Sequence, residues 1–312
     1  MTLSSAIVLG PQRREPILRQ AVDDLVGAGA APVALVTAGW EEREAEDDEL
    51  RTHVGRQVTN LQLWRRVERI FEADPDLLQA MRERHATLRQ LQDLYRLRLE
   101  GLLGPTCELL RRGGEGPWVD AEAEDAWELV RGLDRQHVAR VEVVHAEFDA
   151  RVRPRERDAV RAELAQLEPL LDDASCLLVA GGHVAVLLHR LQLFDLCARW
   201  GDRPVVAWSA GAMALTDRVV LFHDAPPQGS SYAEVMEAGF GVLPDFVALP
   251  HARRRLATDD PLRMQLLSRR FAGATCALLD DGARFDWRDQ RWHARAASRC
   301  LTADGRVEEA GA

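Results

Sequence analysis

The sequence predicts an α/β fold, a mostly parallel sheet flanked by helices and interrupted by a large all-α insertion. Three observations lead there. Short apolar runs such as Ala6-Ile7-Val8-Leu9 and Val33-Ala34-Leu35-Val36-Thr37 are bounded by Gly or Pro, and runs of that length read as strands buried on both faces. Segments of helical period separate them, the β-α-β pattern of a parallel sheet. From about Val54 to Val152, long charged stretches of helical period take over and strand signals are few.

Each element follows in order. The first run ends at Gly10-Pro11, and Ile17, Ala21, Leu25 and Val26 then recur at helical spacing. Gly27-Ala28-Gly29 leads into the second run, which Ala38-Gly39 closes. Leu63, Val67, Ile70 and Phe71 form one helical stripe; Leu77, Met81, Leu88, Leu91, Tyr95, Leu99 and Leu102 form a longer one. Gly113-Gly114-Glu115-Gly116-Pro117 breaks the pattern, and a further helix starts near Asp120 with Trp127, Val130, Val138, Val141 and Val144 apolar. An antiparallel pair of long helices is expected, whose stripes signal packing. The insertion is placed at residues 56–152 and the α/β unit at 1–55 and 153–312. Pro154 suits a helix start and opens a helix to about Leu171. Apolar runs at 176–180, 204–208, 219–222, 246–249 and 276–279 complete the predicted strands.

Composition narrows the function. The 312 residues carry a net charge of -10, which argues against nucleic acid as the main partner. Every basic residue is Arg, so Schiff-base chemistry and a P-loop lysine are excluded. Cys107, Cys176, Cys197, Cys276 and Cys300 form no paired motif, so free thiols in a reducing cytoplasm are expected. The start, Met1-Thr2-Leu3-Ser4-Ser5-Ala6, has no signal-peptide character, and no apolar run spans a bilayer. The expected setting is cytoplasmic, with no membrane partner.

The chemistry centres on Ser209, in Val205-Val206-Ala207-Trp208-Ser209-Ala210-Gly211-Ala212. A serine at a strand-to-helix junction needs small neighbours, or the turn cannot close. Such a turn lifts the hydroxyl above the carboxyl ends of the strands, where open sheets bind ligands. Alone, the same residues read equally well as a helix N-cap. Two further strand ends tilt the balance. Ala180-Gly181-Gly182-His183 offers backbone amides that can approach a substrate. Leu249-Pro250-His251 offers an imidazole, the usual base for a serine.

These segments, with Gly241-Val242-Leu243-Pro244, resemble the peptidase E and cyanophycinase family of serine peptidases, whose fold is related to class I glutamine amidotransferases. The resemblance covers roughly residues 1–55 and 153–290. It implies Ser209 as nucleophile, His251 as general base, and the Gly182 and Ala210 amides as oxyanion hole. Its third member is an acid fifteen residues after the serine, which is Asp224 here. Glu234, Asp280 and Asp281 stay open as alternatives, and Asp224 also reads as a turn residue before Pro226-Pro227. The family commonly has a third glycine where Ala180 stands, and Asn-Thr where His183-Val184 stands, which puts substrate contacts in question. Gly181, His183 and Arg253 are candidate substrate contacts; an Arg there could pair with an acidic peptide, although Arg253-Arg254-Arg255 also reads as a solvated helix turn.

The expected function is a serine peptidase or amidase that cleaves a small or acidic peptide and needs no cofactor. No metal site is expected: neither His183 with His189 nor His137 with His145 has metal-ligand spacing. Trp40-Glu41-Glu42-Arg43-Glu44 sits at the active edge and reads as substrate contact or as a solvated helix start. A competing expectation is a catalytically weak amidotransferase-like binding module, with the insertion as assembly interface and a homo-dimer as its product. An ordinary α/β-hydrolase fits less well, because Ala207 replaces the first Gly of G-x-S-x-G and His293 is a poor base.

Overall fold

The computed structural model describes residues 4–29, 31–224, 232–295 and 298–309, so Met1-Thr2-Leu3 and Pro226-Pro227 lie outside the described residues. The chain runs β1 (Ala6–Leu9), α1 (Leu18–Val26), β2 (Val33–Val36), α2 (Asp48–Val54), β3 (Val58–Asn60) and α3 (Leu63–Ala73). Two long helices follow, α4 (Pro75–Arg111) and α5 (Pro117–Val152). Then come α6 (Asp158–Asp172), β4 (Leu177–Val179), α7 (Val184–Leu193), α8 (Leu196–Trp200), β5 (Val205–Trp208), α9 (Ala210–Leu215), β6 (Arg218–Leu221) and β7 (Glu234–Ala238). The last part holds β8 (Phe246–Pro250), α10 (Ala252–Arg255), α11 (Pro261–Arg270), β9 (Thr275–Leu279), β10 (Arg284–Arg288), β11 (Arg291–Ala294), β12 (Arg299–Leu301) and β13 (Val307–Glu309).

The central sheet has seven strands in the order β11-β10-β1-β5-β4-β2-β3. The five from β1 to β3 are parallel, and β10 and β11 add an antiparallel edge. Alternate residues feed opposite faces. Ala6, Val8, Ala34, Val36, Leu177, Val179, Val205 and Ala207 join one core, with residues of α3, α6, α7 and α9. Ile7, Leu9, Val33, Leu35, Leu178, Val206 and Trp208 join the other, beneath α1 and α2. Burial on both faces is why these strands read as unbroken apolar runs. A second sheet, β13-β12-β9-β8, shares a third core with β6 and β7 and with Tyr95, Leu99, Trp127 and Val130 of the long helices.

Two boundaries shift from expectation. The insertion was placed at residues 56–152, but β3 pairs with β2 and α3 packs into the main core, leaving Pro75–Val152 as the hairpin. The helix expected at Pro154 begins at Asp158, after a 3-10 turn over Pro154–Glu156. All five cysteines are free. No helix among the described residues is long and apolar enough to cross a membrane.

The hairpin docks through a buried polar seam. Arg270 of α11 pairs with Asp134 of α5 at 2.7 Å, both side chains 3 % exposed. Tyr95 of α4 donates its hydroxyl to Asp134 Oδ1 at 2.8 Å and accepts the Val235 N–H of β7 at 3.0 Å. The His137 ring stacks on Tyr95 with centroids 4.3 Å apart. Glu234 of β7 accepts from Arg96 of α4 at 2.7 Å. A buried charge is tolerated only when paired and hydrogen-bonded, and here the partners come from four separate elements.

Candidate active site

Ser209 stands between β5 and α9 with φ 51° and ψ −124°. That backbone is strained for any residue with a Cβ, at about 1–3 kcal/mol. It turns the chain sharply enough to raise the hydroxyl at the strand end, and Ala207, Ala210, Gly211 and Ala212 leave room for it. His251 stands at the end of β8 with φ 58° and ψ 38°. Its N–H donates to Leu279 O of β9 at 3.0 Å, which pins this second strained junction.

Gly181 and Gly182 fill the space beside the serine. A Cβ on Gly181 would lie 2.7 Å from the Ser209 Cβ, so only glycine lets this loop pass so close. Gly182 has φ +117°, and a Cβ there would meet Gly39 O at 2.3 Å. Among the described residues, the Gly181, Gly182 and Ala210 N–H groups have no protein acceptor. Unpaired amides beside a nucleophile are what an oxyanion requires.

A cavity of about 460 Å³ opens over these groups, lined by Ser209, His251, Gly181, Gly182 and Trp208. Its far wall carries Gln12 and Arg13 after β1, then Trp40, Arg43, Glu46 and Glu49. The volume is that of a small-ligand site. Gln12 is fixed by donating to Gly10 O and accepting the Ile17 N–H, and Arg43 pairs with Glu46 at 2.7 Å. Arg13 is exposed and has no ion pair among the described residues. Gln12, Arg13, Glu46 and Glu49 went unread in the sequence, although each follows a strand of the parallel sheet, the position where ligands collect. Trp40 and Arg43, expected either as substrate contacts or as part of a solvated helix start, line the cavity from a 3-10 turn over Ala38–Arg43.

Other predicted residues stand elsewhere. Asp224 lines a separate small cavity with Arg263 and Tyr232. Its Oδ2 accepts the Ala257 N–H at 2.6 Å and its Oδ1 accepts from Arg263 at 3.2 Å, and no hydrogen bond joins it to His251 among the described residues. Glu234 is taken up by Arg96 and Gln92. Asp280 accepts the Arg253 N–H at Oδ1 and Arg299 at Oδ2. Asp281 is exposed and uncommitted among the described residues. His183 caps α7, its Nδ1 accepting the Val186 N–H, and neither it nor the exposed Arg253 lines the cavity. His293 lies on β11, outside the cavity. No hairpin residue lines it either.

The surroundings of His251 favour its neutral form. Burial of the half-buried ring lowers its pKa below the ordinary 6.5, and Arg255 and Arg254 lower it further, while Asp281 and Asp280 oppose them. A neutral imidazole opening onto the same cavity as a serine hydroxyl is the form that can serve as its base, although no hydrogen bond joins His251 to Ser209 among the described residues.

Among solved structures, the chain is similar to that of a peptidase from an acI-B1 actinobacterium, with TM-score 0.50 and 13% identity over 99% of this chain and 96% of that one. At that identity the likeness shows a peptidase-like fold, and its span includes the hairpin as well as the sheets. No protein-family model matches the chain, and no curated protein matches it.

Proposed function

We propose that this chain is a serine hydrolase acting on a peptide or small amide, on a sheet of the class I glutamine amidotransferase type that the peptidase E and cyanophycinase resemblance implies. One observation carries the reading: Ser209 and His251, both in strained left-handed conformations at strand ends, open onto one cavity beside unpaired glycine amides. Strain of this kind persists only where the surrounding fold imposes it, and it clusters at sites of chemistry.

Ser209 Oγ attacks the substrate carbonyl while His251 takes its proton. The Gly182 and Ala210 amides stabilise the oxyanion, and Gly181, which closes the wall, adds a third N–H. His251 returns the proton to the leaving amine, and water then releases the acyl group. Asp281, exposed and without a hydrogen bond among the described residues, is the carboxylate left free to pair with His251, and its charge already favours the protonated imidazole. Asp224, the position implied by the family resemblance, is already held by Ala257 and Arg263.

The test is covalent labelling. A fluorophosphonate probe should modify the wild-type protein at Ser209 and leave Ser209→Ala unlabelled. Wild-type turnover of any identified substrate by Ser209→Ala sinks the assignment.

One observation also favours an assembly role for the hairpin. The large apolar side chains that are exposed among the described residues, Leu94, Leu97, Trp118, Leu129 and Val143, all lie on α4 and α5. A homo-dimer through this face is the expected product. Trp118→Glu together with Leu97→Glu should then halve the solution mass measured by light scattering, and an unchanged mass removes this role.

A further inference from the structure

We infer that His145, His189 and Glu237 form a binding site for a zinc-class divalent metal ion, built where the hairpin meets the α/β core and independent of the serine chemistry. The three residues come from α5, α7 and β7. Their donor atoms all lie within 4.8 Å of one another. His145 Nε2 stands 2.7 Å from Glu237 Oε2, and His189 Nε2 stands 2.9 Å from Glu237 Oε1. Side-chain exposure is 20%, 11% and 5% for His145, His189 and Glu237.

Two imidazoles and one carboxylate are a borderline-soft donor set, suited to Zn²⁺, Co²⁺ or Ni²⁺ and poorly suited to Mg²⁺ or Ca²⁺. A tetrahedral zinc ion with ligand bonds of about 2.0–2.2 Å spaces its donors by about 3.3 Å. The donor separations here, 2.7 Å and 2.9 Å to the carboxylate and no more than 4.8 Å between any two, bracket that spacing. Each imidazole now points Nε2 at the carboxylate. Metal binding uses the Nε2 lone pair, so a metal-bound neutral imidazole carries its proton on Nδ1. A cavity of about 320 Å³ adjoins the site, lined by His189 and Glu237 together with His85 and Arg89, and offers space for a water as fourth ligand. The His85 ring edge also approaches His189, with centroids 6.1 Å apart.

His145 Nδ1 is buried without a hydrogen-bond partner among the described residues. A ligand histidine normally donates that N–H to an acceptor, and losing the brace weakens affinity by about 10–100-fold. The site therefore binds more weakly than a fully braced zinc centre. Spacing along the chain concealed it, since the two histidines lie on different helices and the carboxylate on a strand.

The experiment uses the full chain after chelator dialysis. Calorimetric titration with Zn²⁺ should show one equivalent bound, and Zn²⁺ should raise the melting temperature by linkage. His145→Ala, His189→Ala and Glu237→Gln should each weaken binding at least about tenfold and abolish that rise. Co²⁺ added to the wild type should give the visible ligand-field bands of a four-coordinate nitrogen–oxygen site, a readout that needs no variant to fold. Absence of those bands together with no heat on Zn²⁺ addition overturns the proposal. So does a wild-type isotherm retained by a folded His189→Ala protein.

Discussion

The Ser209 cleft and the hairpin seam are built on opposite principles. The cleft is mostly backbone: small residues, strained turns and amides left without acceptors. The seam is mostly side chain: Arg270, Asp134, Tyr95, Glu234 and Glu237 buried and held by reciprocal hydrogen bonds. The cleft leaves groups unpaired where a substrate can pair them. The seam leaves few, because an unpaired buried charge costs several kcal/mol. Damage to the cleft should therefore cost activity, and damage to the seam should cost stability.

The largest expected effect is on the seam. Arg270→Ala strands Asp134 in a buried site and should lower unfolding stability by about 3–5 kcal/mol, read by denaturant titration. The folded fraction should still label at Ser209; lost labelling in folded protein would erase the distinction between the regions. The next effect is on the cleft. Gly181→Ala drives a Cβ against Ser209 and should lower kcat/KM by about 100-fold, as for a small misplacement of a reacting group, with stability changed far less. A smaller contrast sharpens the acid assignment. Asp281→Asn should lower kcat/KM by about tenfold or more, whereas Asp224→Asn should affect melting temperature instead. Equal losses from both, or loss from Asp224→Asn alone, return the role to Asp224.

The smallest effect is a shift in pH dependence. Since the His251 pKa lies below 6.5, the base form persists as pH falls to that value. The acid limb of kcat/KM should inflect below pH 6.5. Arg255→Gln removes a like charge and should move the inflection up. Asp281→Asn removes an opposing carboxylate and should move it down. An inflection above 6.5 in the wild type contradicts the assigned environment.

The two regions also differ in how far the sequence disclosed them. The cleft was legible because its parts are local: Trp208-Ser209-Ala210-Gly211, Gly181-Gly182 and Pro250-His251 each sit within a few residues of an apolar strand. The parallel strands were legible because burial on both faces leaves them no polar positions. β7 was not legible. Its residues, Glu234-Val235-Met236-Glu237-Ala238, favour helix on propensity, and its ladder with β6 contains an irregularity that breaks simple alternation. Its carboxylates are acceptable inside only because Arg96, His145 and His189 arrive from far along the chain. The last four strands, β10 to β13, with sequences such as Arg284-Phe285-Asp286-Trp287-Arg288, hide for a related reason. Their charged positions pair with distant residues such as Asp24. The hairpin showed its helical period but not its docking, since apolar stripes do not name their partner.

The strand order carries a consequence for how the chain is made. β1, synthesised before both of its partners, lies between β5 and β10. Its partners are residues 205–208 and 284–287, so one edge waits for about 200 further residues and the other for about 280. Pairings this distant close slowly, since loop entropy is lost before contacts form. Until then Ala6-Ile7-Val8-Leu9 is an apolar strand without neighbours, the kind of edge that invites aggregation. On a ribosome, β1 emerges long before the strands that protect it, and the pairing that buries it builds the sheet on which the serine stands.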